Sequence, residues 1–117
     1  MYNENELVRI QSIHKKLISI STIIKRHDGI VKALEDEDEG QPAILMLLVA
    51  IAEQFNKLKK INANILTPFD KVDVKGMIDV RNFISHDYDG VSLGLVEDSL
   101  RFDIPRIVKI VENILEK

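Results

Sequence analysis

Apolar residues at Leu7, Ile10, Ile13, Leu17, Ile20 and Ile24 recur at intervals of three and four. That interval is the spacing of one face of an α-helix. A half-buried strand would need alternation at every second residue, and no segment of the chain alternates in that way. The period therefore predicts an all-α fold, and the remaining segments are read within that constraint.

The first helix is capped by Asn3 or Asn5 and broken at His27-Asp28-Gly29, with a weak resumption through Ile30, Val31 and Leu34. Five consecutive acids, Glu35 to Glu39, repel one another and offer no apolar face, so they read as a solvated turn. They lack the interleaved oxygen ligands of a calcium loop. Pro42 suits the first turn of a second helix. From Ala43 to Ala52 that helix is apolar on all sides, so neighbours on several sides or a second subunit must bury it. Its tail, Glu53 to Lys60, is amphipathic and basic. A third helix begins near Asp70 or Asp73, either of which can cap it, and runs to Ser85 or His86. The last segment, Leu93 to Lys117, is interrupted near Asp103-Ile104-Pro105, with Asp103 as a cap and an apolar stripe at Ile107, Ile110, Val111, Ile114 and Leu115. Four main helices with short connections predict one antiparallel four- to five-helix bundle over residues 1–117.

Composition narrows the function classes. The 117 residues contain no cysteine, which removes disulfides, thiolate metal sites and a Cys nucleophile. The Ala43–Ala52 run is too short for a membrane span, which needs about 20 residues. Met1 to Glu6 lacks the basic start of a secretory signal, so a cytoplasmic protein is expected. A net charge of −3 lacks the footprint of a general nucleic-acid binder. His14 and His27 read as surface residues, no metal site is expected, and no cofactor is expected.

The stretch from Arg81 to Tyr88 breaks the helical pattern. At 100° per residue, Val74, Met77, Ile78, Val80 and Ile84 define an apolar arc, and Arg81, Ser85 and, if the helix continues, Tyr88 fall within it. Asp79, Asn82 and His86 lie on the other side. An arginine cannot discharge itself and is costly to bury unpaired. Glu53, the first charge after the apolar run, is the expected partner.

The Arg81-Asn82-x3-His86-x-Tyr88 string resembles the signature of the HepT-type toxins of the HEPN superfamily. The likeness extends to the long first helix, the apolar second helix with its Glu, and Met77-Ile78-Asp79-Val80-Arg81-Asn82. Ala52-Glu53 stands where that family often carries Gly-Glu. The resemblance implies a homodimer whose Arg81 and His86 line a shared, metal-independent ribonuclease cleft. It also implies a partner, a minimal nucleotidyltransferase antitoxin that silences the toxin by attaching AMP to Tyr88. The chemistry is coherent. An imidazole exchanges a proton near neutral pH and a guanidinium clamps a phosphate. On one helix, however, the two residues point about 140° apart, which a two-fold interface would relieve. Asn82 and Ser85 are supporting candidates, with Asn82 one turn before His86 and placed to orient its ring or contact phosphate. Two other readings stand beside this one. The same bundle could be a non-catalytic nucleotide-binding module or nucleotidyltransferase-associated subunit, or a plain interaction protein that dimerises through Ala43–Ala52.

Overall fold

The computed structural model describes residues 2–116, so Met1 and Lys117, the two ends of the predicted domain, lie outside it. Every regular element among the described residues is helical. Four long helices form the bundle: α1 (Glu4–Arg26), α3 (Gly40–Lys60), α4 (Lys71–His86) and α6 (Ile104–Glu116). Two short helices, α2 (Ile30–Glu35) and α5 (Leu93–Asp98), precede α3 and α6.

The caps explain where the helices start. Asn3 accepts from the Glu6 amide at 2.8 Å while Glu6 accepts from the Asn3 amide, a reciprocal capping box. Asp70 accepts from the Val72 amide at 3.0 Å and so caps α4. Asp73, the other candidate cap, is instead buried and binds Arg106 of α6 at 2.7 Å. That ion pair holds the Arg106 guanidinium above its ordinary range.

α3 is the central element. It packs between α1 and α4 and buries Ile44, Leu48, Ile51, Phe55 and Leu58 completely. Arg9, early in α1, donates to Gln54, late in α3, so the two helices run antiparallel. The predicted α1 face is buried at Ile10, Ile13, Leu17 and Ile20 and half-buried at Leu7 and Ile24, with Ile23 joining the core. The all-round apolar run is not wholly covered within one chain. Met46 is 58% exposed, and Val49, Ala50 and Glu53, three, four and seven residues on, continue its partly exposed stripe along the same face.

Two details depart from the sequence-based expectation. The break near Pro105 is not a loop. A π-helical turn, Ser99–Asp103, joins α5 to α6, and the Ile104 amide donates to the Ser99 carbonyl in its i→i−5 bond. Proline lacks the N–H that a regular helix would use next, and Asp103 accepts from Arg106. The acidic run is also more than a solvated turn. Asp36 accepts from the Asp38, Glu39 and Gly40 amides and from His27, so His27 is not a simple surface residue. His27 Nδ1 lies 2.7 Å from the Ile23 carbonyl and Nε2 lies 2.8 Å from Asp36. Both ring nitrogens face acceptors, which favours the doubly protonated ring. The hydrogen bond to Asp36, and then that to Ile23, raise the His27 pKa, and the same contact lowers that of Asp36. Gly40, at the start of α3, is packed so closely that a Cβ would run into the Ala33 carbonyl oxygen.

Candidate active site

Arg81 and Glu53 meet across the α3–α4 contact. Both Nε and Nη2 of Arg81 donate to Glu53 Oε1, at 3.2 and 2.9 Å, and Nη1 donates to Asn82 Oδ1 at 3.3 Å. The expected pair therefore forms, and it fixes the guanidinium plane. It is not buried, however. The Arg81 and Glu53 side chains are 39% and 44% exposed. Arg81 lies within the apolar arc but meets Glu53 on the partly exposed stripe of α3, where water still reaches it, so the large desolvation cost expected from the arc is absent. Of the five guanidinium N–H groups, two remain for another acceptor.

α4 continues unbroken through His86, its last residue. Arg81 and His86 therefore keep their separation of about 140° around the helix. Within one protomer they do not form a single hydrogen-bonded group. His86 and Ser85 are exposed, and neither side chain has a hydrogen-bond partner among the described residues. Ser85 thus does not extend the buried arc. Asn82, expected to orient His86, instead accepts from Arg81.

The chain turns immediately after His86. Asp87 Oδ1 accepts from the Gly90 amide at 3.0 Å, and a Cβ at Gly90 would run into that carboxylate. Tyr88 therefore lies beyond α4 and outside its apolar arc. It is 41% exposed and lines a cavity of about 400 Å³ with Glu37, Gln41 and Asp89. Tyr88 thus shares this cavity with the α2–α3 turn, a neighbour that helical spacing could not reveal.

The sequence pattern also missed an apolar pocket of about 250 Å³ beside the end of α4. Val80, Phe83 and Ile84 meet Leu95 and Val96 of α5 there. The available signal was Phe83, an aromatic that falls outside the apolar arc at 100° per residue and is 56% exposed in the structure. Among the described residues, no group of three or more His, Asp or Glu side chains converges to hold a metal ion. No helix among them is long and apolar enough to cross a membrane.

Searches of curated proteins and of solved structures each returned no match. A family model described as "Ribonuclease HepT-like" matches residues 10–114, from the first buried isoleucine of α1 to the last of α6. With nearly the whole helical bundle inside that match, the chain belongs to the HepT-like ribonuclease family of the HEPN superfamily.

Proposed function

We propose that this protein is the ribonuclease toxin of a toxin–antitoxin pair, cutting RNA at a site that Arg81 and His86 build across a homodimer. The observation that carries the reading is the family match over residues 10–114. The arrangement of α4 supports it. Glu53 and Asn82 hold the Arg81 guanidinium while leaving two N–H donors for a phosphate. His86 stands exposed at the helix end, free of protein partners among the described residues.

In the proposed reaction, the His86 imidazole takes the proton from a ribose 2′-OH. The 2′-oxygen attacks the adjacent phosphorus, and the bond to the 5′-oxygen breaks. The leaving oxygen takes up a proton, leaving a 2′,3′-cyclic phosphate and a 5′-hydroxyl. Arg81 stabilises the charge that develops on the phosphoryl oxygens. The two side chains diverge around α4, so the reading assigns the convergence to a two-fold partner. The partly exposed stripe of Met46, Val49 and Ala50 leads directly to Glu53 and Arg81 and is the face we assign to that partner.

Tyr88 is the proposed point of control. Its phenol attacks the α-phosphorus of ATP held by a partner nucleotidyltransferase, pyrophosphate leaves, and the attached AMP adds bulk and negative charge beside His86. The half-exposed position of Tyr88 past the helix end supports this role. RNA and ATP place the pair in the cytoplasm.

Expression without its partner should slow bacterial growth, and His86→Ala should abolish that effect. A folded wild-type protein that leaves growth unchanged would contradict the toxin reading, and titration with AMP or ATP would then test the nucleotide-binding alternative.

A further inference from the structure

The last turn of α3, the turn that follows it and the start of α4 enclose a cavity of about 660 Å³, one and a half helical turns or more from Arg81. Lys59, Lys71 and Lys75 line it, with Asn62 and Asn64 beside them and Phe69 in its apolar floor. Among the described residues, no carboxylate belongs to that lining. On a chain of net charge −3, three lysines around one concavity are a local concentration of positive charge.

Ordinary helix electrostatics accounts for only part of this concentration. Lys59 lies in the last turn of α3, where a cation complements the helix dipole. Lys71 is the first residue of α4, where the backbone amides already carry partial positive charge. The Asp70 carboxylate that caps α4 offsets part of that charge, and Lys71, exposed and without a side-chain partner among the described residues, remains free for a further anion. Lys75 binds Asp79 at 2.8 Å in a solvent-exposed pair. Such pairs are weak enough for a phosphate to compete.

The cavity also aligns with the candidate active site. At 100° per residue, Lys71, Asn82, Lys75 and His86 fall within about 60° of one another around α4. They form one polar stripe that runs about 22 Å along the helix, at 1.5 Å per residue, bordered by Asp79, about 20° beyond His86 and paired with Lys75. We propose that this cavity is an anchoring subsite for single-stranded RNA, with Lys59, Lys71 and Lys75 on backbone phosphates and the strand running along α4 to His86. The choice of RNA as ligand rests on the ribonuclease reading. The amides of Asn62 and Asn64 supply donors and acceptors for base edges over the apolar floor. Phosphate contacts of this kind fix the strand's position without selecting its sequence.

The test is a binding measurement that needs no catalysis. A labelled, unstructured, 2′-O-methylated RNA of twelve nucleotides carries no free 2′-OH and cannot be cut. Its affinity for wild type and for the double variant Lys59→Gln/Lys71→Gln is read by fluorescence anisotropy over a series of salt concentrations. Both substituted side chains are exposed, and an unchanged thermal midpoint verifies the fold. For single strands the slope of log affinity against log salt is about 0.7 per phosphate contact, so two lost contacts make the slope shallower by about 1.4. Equal slopes would overturn the subsite, as would a wild type that does not bind the oligonucleotide. Polyglutamate bound equally well, with the same slope change, would overturn it in favour of an acidic protein partner. Cleavage of unmodified RNA is scored separately. A changed slope without cleavage retires the ribonuclease reading and leaves the anchoring site standing.

Discussion

Arg81 is held by one carboxylate oxygen of Glu53 and by the Asn82 amide oxygen, and that determines what the loss of Glu53 would do. The sequence made the pair legible, because Glu53 is the first charge after the apolar run and Arg81 interrupts an apolar arc. The degree of burial was not legible. Arc membership does not say what the arc faces, and Arg81 meets Glu53 on the partly exposed stripe of α3, where both partners remain about two-fifths exposed. Exposed ion pairs contribute about 0–1 kcal/mol, against the roughly 3–5 kcal/mol of a broken buried pair. Glu53→Ala should therefore lower the thermal midpoint by only a few degrees or less. It should still reduce RNA cleavage, because the guanidinium loses the contact that fixes its plane. A large loss of stability in a thermal melt, or unchanged cleavage by a stable variant, would contradict the positioning role. Asn82 and Tyr88 carry the same lesson. Helical spacing predicted neither the Arg81–Asn82 hydrogen bond nor the cavity that Tyr88 shares with Glu37, because one depends on a rotamer and the other on a loop closing in space.

At the scale of elements, period and caps were readable because they are local. The α1 face, the Asn3 and Asp70 caps, Pro42 in the first turn of α3 and the end of α4 near His86 all follow from residues within a turn or two of one another. Longer-range connections were not readable. Asp73 paired with Arg106 across the bundle, and Pro105 was absorbed by a π-helical turn that keeps α5 and α6 continuous instead of opening a loop. The His27–Asp36 link is another such connection, tying the end of α1 to the α2–α3 turn, and it makes a pH-dependent prediction. His27 is raised above its ordinary 6.5, so its contribution is complete below that value and fades as pH rises through the raised one. Asp36 is lowered below its ordinary 3.8, so its contribution is complete above that value and fades as pH falls through the lowered one. The difference in thermal midpoint between wild type and His27→Gln should therefore be largest between 3.8 and 6.5 and narrow on both sides. A difference independent of pH would show that the ion pair contributes nothing and that only packing was lost.

At the scale of the molecule, the all-α bundle was legible, since the helical period marks α1, α4 and α6, no segment alternates as a strand would, and the described residues hold no strand. The functional assembly was less so. The apolar stripe of α3 signals an uncovered face, but a sequence does not say whether another element of the chain or a second copy covers it. In this chain Met46, Val49 and Ala50 stay partly exposed next to Glu53. Light scattering at micromolar concentration should return twice the 13.4 kDa mass of the chain, and Met46→Asp should shift it towards the monomer. A purely monomeric wild type would contradict the shared cleft. The most direct test of the whole account is cleavage of single-stranded RNA by purified wild type and His86→Ala, in chelator, with the new ends identified. Wild type should leave 2′,3′-cyclic phosphate and 5′-hydroxyl ends, and folded His86→Ala should cut about 10²–10⁴-fold more slowly, as expected for loss of a proton acceptor. Equal rates for the two folded proteins, or different chain ends, would contradict it.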